Sequence, residues 1–141
     1  MFLLAAIPAQ AQNAIRWRTT VKMTNEKEGV VTVRALVEPG WHLYGTQLPK
    51  GGPKPTVLDF SASKGVKFIG DFKPSQKPET KHDDMFGITL NYWSQNVLFT
   101  RRFKLTGAKT DALISGKITY MGCNDATCLP PKTESFTVKI K

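Results

Sequence analysis

The chain has 141 residues, 40% of them hydrophobic, a formal net charge of +9 and two cysteines. That length fits one domain with a core large enough to fold without disulfide or metal. The positive charge is dispersed, as at Arg16, Lys54, Lys73, Lys104 and Lys139. With no arginine-rich arm or recognition helix, this argues against nucleic-acid binding and for a solvated basic surface that attracts acidic partners or an anionic membrane surface.

Residues 1–11 pair an apolar run with small residues at Ala9 and Ala11. This reads as the end of a secretory signal peptide, cleaved before Gln12. Residues 12–141 are then a single exported domain, in an oxidising compartment where disulfides persist. No later stretch is long and apolar enough to span a membrane.

Apolar residues alternate with polar ones from Ile15 to Met23, which predicts a half-buried strand. A second strand is predicted from Val30 to Glu38, with Val31, Val33, Ala35 and Val37 on one face. Pro39 and Gly40 end it. Trp41 to Tyr44 is a short strand or bend with three large rings, and Gly45 to Pro55 a loop. Thr56 to Ser61 and Val66 to Ile69 read as strands. Asp71 to Asp84 is polar, contains Pro74 and Pro78, and is expected to be a surface loop. Leu90 to Leu105 gives one or two further strands. Leu113 to Met121 and Glu134 to Lys141 alternate again. No helical period is present, so the expected architecture is an all-β sandwich of antiparallel sheets.

Cys123 and Cys128 lie between those last two strands, with four residues between them. A short connection can bring two Cβ atoms to the roughly 3.5–4.5 Å a disulfide needs. Closing so short a loop stabilises the fold by only about 2 kcal/mol in the chain-entropy account. The spacing is compatible with a clamp on a turn and with an exchangeable redox pair. Pro130 and Pro131 lack backbone donors and keep the start of the last strand out of a central ladder.

Taken together, Trp41 to Tyr44, the loop Gly51 to Thr56, the tip Asp83 to Gly87, and Cys123 to Cys128 followed by Leu129, Pro130 and Pro131 resemble the N-terminal periplasmic domain of the DsbD-type thiol:disulfide interchange proteins. The resemblance covers nearly all of the mature chain. It implies an immunoglobulin-like sandwich that needs no cofactor. Such a domain receives reducing equivalents from membrane and thioredoxin-like domains of the same full-length protein. It passes them to thioredoxin-like periplasmic partners, and small molecules are not its substrates. By position, Cys123 and Cys128 match the redox pair, with Cys128 forming the mixed disulfide. Asp83, Asp84, Met85, Phe86 and Gly87 match a cap loop, Phe86 being its ring. His42, Tyr44 and Asp125 surround the pair. This chain departs from the family's best-studied pattern in having one residue fewer between the cysteines, and Asp84 and Met85 where a glutamate and an aromatic are common.

Two other functions fit parts of the sequence. A copper or zinc site would draw on His42, His82, Met85, Met121 and the cysteines. No histidine follows Cys128 closely, and the two histidines fall in separate segments. A non-catalytic binding module would use Trp41, Tyr44 and Phe86 as a sticky patch beside a structural disulfide. G-x-S-x-G, H-E-x-x-H and C-x-x-C motifs are absent.

Overall fold

The computed structural model describes residues 14–84 and 86–140. The expected signal-peptide remnant, 1–11, and Met85 lie outside these. The strands are β1 (Ile15–Met23), β2 (Glu28–Val37), β3 (His42–Tyr44), β4 (Val57–Asp59), β5 (Val66–Pro74), β6 (Glu79–Asp83), β7 (Ile88–Trp93), β8 (Val97–Leu105), β9 (Leu113–Tyr120), β10 (Gly122–Cys123) and β11 (Lys132–Lys139). A single turn of 3-10 helix, Lys109–Asp111, precedes β9.

All the ladders are antiparallel and form three sheets. Their strand orders are β1-β2-β8-β5, β10-β3-β7-β6 and β11-β9-β4. Alternation places Val31, Val33, Ala35 and Val37 of β2 on the inner face, beside Val97, Phe99 and Phe103 of β8. Ile114, Ile118 and Tyr120 of β9 and Leu43 and Trp93 of the cysteine-bearing sheet join the same core. Each such side chain contributes about 1.5–3 kcal/mol relative to exposure. Any one of them is comparable to the roughly 2 kcal/mol that a disulfide closing so short a loop supplies.

Residues 71–84 are not the expected loop. β5 continues to Pro74 and β6 begins at Glu79, which leaves only residues 75–78 as the turn. Both strands lie at sheet edges and bury little. In β6 only Asp83 is even half-buried, so the apolar half of the period-2 pattern is missing. β5 also slips register between Ile69 and Lys73, where Gly70 takes a positive φ of 68°. A bulge of this kind breaks the alternation. The turn is pinned from the core side, since Trp93 Nε1 donates to the Gln76 carbonyl at 2.9 Å.

Candidate functional site

The chain changes sheets between Tyr120 and Gly122. β9 ends at Tyr120, paired with Lys132 of β11. Two residues later, Gly122 and Cys123 pair with Leu43 and His42 of β3 in a different sheet. Residues 121–131 are therefore an excursion from the β9–β11 hairpin that lends a short edge strand to the neighbouring sheet. Leu129 N–H donates to the Gly122 carbonyl at 2.9 Å, and Asn124 N–H to the Thr127 carbonyl at 2.8 Å. Cys123 and Cys128 face each other across this turn and are joined by a disulfide.

Asn124 organises the tip, and sequence reasoning missed it. Its Oδ1 accepts from Ala126 N–H at 2.9 Å and Thr127 N–H at 2.7 Å. A short amide side chain that satisfies its own turn is a known asparagine habit, so an asparagine directly after the first cysteine was a readable signal. Asn124→Ala is expected to cost about 1 kcal/mol, a fall of about 3 °C in the unfolding midpoint for a domain this size. Thermal unfolding of the oxidised protein checks this, and an unchanged midpoint would show that the two bonds contribute nothing.

β3 carries side chains to both faces of its sheet. Leu43 enters the main core, while Tyr44 belongs to a second, smaller cluster with Leu90 and Cys123. Phe86, Ile88, Tyr92, Met121 and Cys128 pack against that cluster, partly buried. The backbone of Tyr44 is tied down by the buried Thr56, whose hydroxyl donates to the Tyr44 carbonyl at 2.6 Å. The two cysteines differ in access: Cys123 is 2% exposed and Cys128 is half-buried.

The β6–β7 turn brings Phe86 to this cluster, and Asp83 and Asp84 to a cleft that Cys123 lines. Asp83 shapes the turn, accepting Gly87 N–H at its carbonyl at 2.7 Å and Phe86 N–H at Oδ1 at 3.2 Å. Gly87 closes it with a φ of +70°, a conformation glycine adopts without steric cost. The Phe86 ring meets Tyr44 edge-on, with centroids 6.4 Å apart. Asp84 is exposed, 3.8 Å from His82 Nε2. A cleft of about 210 Å³ between cap and cysteines is lined by His42, Tyr44, Tyr92, Asp83, Asp125 and Cys123, among others. Burial pushes the Tyr44 hydroxyl up to about 12, with the Asp83 carboxylate and Tyr92 adding to the shift. Tyr44 therefore stays a neutral hydroxyl at ordinary pH.

Of the other sequence candidates, Trp41 is 8% exposed and belongs to the main core, so it is not part of a surface patch. Both histidines line the same cleft, although they stand far apart in the sequence. Among the described residues, no three His, Cys, Asp or Glu side chains come together to hold a metal ion. Among the described residues no helix is long and apolar enough to cross a membrane.

Known proteins resemble this arrangement. A crystal structure of the N-terminal periplasmic domain of ScsB from Proteus mirabilis superposes with a TM-score of 0.64 at 16% identity. The match covers 95% of this chain and 49% of that one, so the chain spans about half the length of that solved relative. The yeast GGA1 GAE domain-P21 matches at 10% identity and a TM-score of 0.50, over 92% of this chain and 93% of its own. These likenesses support the fold, an immunoglobulin-like all-β sandwich. No curated protein sequence matches significantly. The family model for the N-terminal domain of thiol:disulfide interchange protein DsbD matches residues 10–140. With nearly its whole length inside that match, and a Cys123–Cys128 disulfide in place, the chain belongs to the DsbD N-terminal family of thiol:disulfide interchange domains.

Proposed function

We propose that residues 12–141 form a periplasmic exchange domain whose Cys123–Cys128 pair relays reducing equivalents. The electrons come from membrane and thioredoxin-like domains of a longer protein and go to oxidised thioredoxin-like partners. The observation that supports this reading is the unequal burial of the two cysteines at a small cluster that Phe86 also packs against. Exchange requires a thiolate to attack one sulfur in line. Cys128 is the reachable one and takes the partner as a mixed disulfide; Cys123, shielded from solvent, then resolves it. Phe86 is the lid and Asp83 and Gly87 its hinge. Carboxylates at Asp83, Asp84 and Asp125 line the cleft that Cys123 also lines, and nearby negative charge disfavours a thiolate. The domain is then slow with stray thiols and exchanges when a partner moves the lid.

The test is the reduction potential of the pair, measured by equilibration with a thiol redox buffer. An exchanging disulfide should lie above about −300 mV, and a structural one below it. A value well below would return the disulfide to a structural clamp in a binding module.

A further inference from the structure

One buried atom beside the disulfide lacks a partner. His42 Nδ1 is buried and has no hydrogen-bond partner among the described residues, whereas Nε2 on the far side of the ring lies 3.8 Å from Asp125 Oδ1. Neutral imidazole has one N–H and one bare nitrogen. With its proton on Nε2, the nitrogen nearer the Asp125 carboxylate, the ring presents the Nδ1 lone pair. A buried acceptor with no donor is unfavourable and rare.

The register indicates where the donor comes from. His42 is the residue directly opposite Cys123 on β10. Side chains of such a pair share a face, with Cβ atoms about 4.5–5.5 Å apart. Nδ1 is bonded to the ring carbon that carries Cβ, so it sits low, on the side of the sheet where Cys123 stands. In the oxidised protein the Cys123 sulfur is tied to Cys128 and has no proton to give. Reduction gives it an S–H, the missing donor.

We infer that His42 is the general base for Cys123, an inference that rests on the dithiol-exchange reading above. In the mixed disulfide, Cys128 Sγ is bonded to a partner sulfur and Cys123 carries its proton. His42 Nδ1 takes that proton as the Cys123 sulfur attacks Cys128 Sγ. The Cys123–Cys128 bond forms, and the bond between Cys128 and the partner breaks. The partner sulfur leaves with the electron pair and collects a proton from the imidazolium or from water. The domain is oxidised by two electrons and the partner's disulfide is reduced to a dithiol. The exposed Asp125 lies 3.8 Å from Nε2, and the Tyr92 ring packs on the imidazole with centroids 4.6 Å apart. Other charged or titratable groups in the cleft are Tyr44, Lys81, His82, Asp83 and Asp84.

The experiment uses the reduced domain and 5,5′-dithiobis(2-nitrobenzoate), which releases one coloured thiolate on attack by Cys128 and a second when Cys123 resolves the adduct. The rate of the second release is followed against pH. Wild type should show an inflection that His42→Asn and His42→Phe both lose, with the second release slowed roughly 100-fold or more near neutral pH. Asparagine keeps an acceptor that cannot titrate, and phenylalanine keeps the packing on Tyr92. At alkaline pH, where hydroxide removes the proton, both variants should approach wild type. His82→Asn should retain the inflection. Variants that match wild type within about twofold at every pH would overturn the role of His42. A wild-type protein that never releases the second equivalent would instead sink the exchange reading itself.

Discussion

Cys123→Ala protein is expected to accumulate a covalent adduct with a thioredoxin-like partner whose resolving cysteine has been removed, and Cys128→Ala protein to accumulate roughly tenfold less or lower still, because attack needs an in-line path to the sulfur. Cys123 lies within the cluster of Tyr44 and Leu90 at 2% exposure. Cys128 stands at its margin, half-buried, on the segment that leads to the exposed Pro130 and Pro131. The prolines have no N–H to offer water or a neighbouring strand, so that edge stays open to a docking surface. An adduct at Cys128 should also persist, because no second thiol remains in the chain to displace it. Non-reducing electrophoresis reads the result. Preferential trapping at Cys123 would reverse the two roles, and absence of trapping in both variants would leave the disulfide a clamp.

Removing the cap ring should have the second large effect. Phe86→Ala is expected to speed reduction of the oxidised domain by dithiothreitol about 2- to 10-fold. The magnitude follows from the ring contact with Tyr44. An aromatic pair of this geometry contributes about 0.5–1.5 kcal/mol, and lowering an opening barrier by that amount raises a rate by such a factor. The fold should survive, since Phe86 belongs to the small cluster and not to the core beneath β2 and β8. A rate equal to wild type, with circular dichroism unchanged, would mean that the ring does not shield the sulfurs.

How much of this was legible depended on whether a strand buries one face. β1, β2, β9 and β11 alternate because each has an inner side, and all four were placed within about two residues. β6 was lost because as an edge strand it buries almost nothing, and its Glu79, Thr80, Lys81 and His82 read as loop. β10 was beyond reach for a different reason. Two residues carry no period, and nothing in Met121 or Gly122 announces that the chain leaves one sheet for another. The cap segment was expected only from the resemblance; the structure packs Phe86 and Cys128 against one cluster with Cys123 and Tyr44. His42 was visible only as a ring near the pair. The unpartnered nitrogen follows from strand register, which a single sequence does not specify. The rival binding-module reading needed Trp41 at the surface, yet that ring packs in the core.

The change of sheets at Met121 separates two design variables. The excursion 121–131 is closed at its root by the pairing of Tyr120 with Lys132, midway by Leu129 N–H on the Gly122 carbonyl, and at its tip by Asn124. A residue gained or lost between the cysteines is absorbed above the second closure and never reaches the scaffold's register. Loop closure itself is tolerant, costing only about 0.6 kcal/mol per doubling of length. Cysteine spacing, and with it the ease of opening the pair, can therefore drift in evolution or be adjusted by an engineer while the sandwich keeps its stability. The four residues from Asn124 to Thr127 are one setting of that dial.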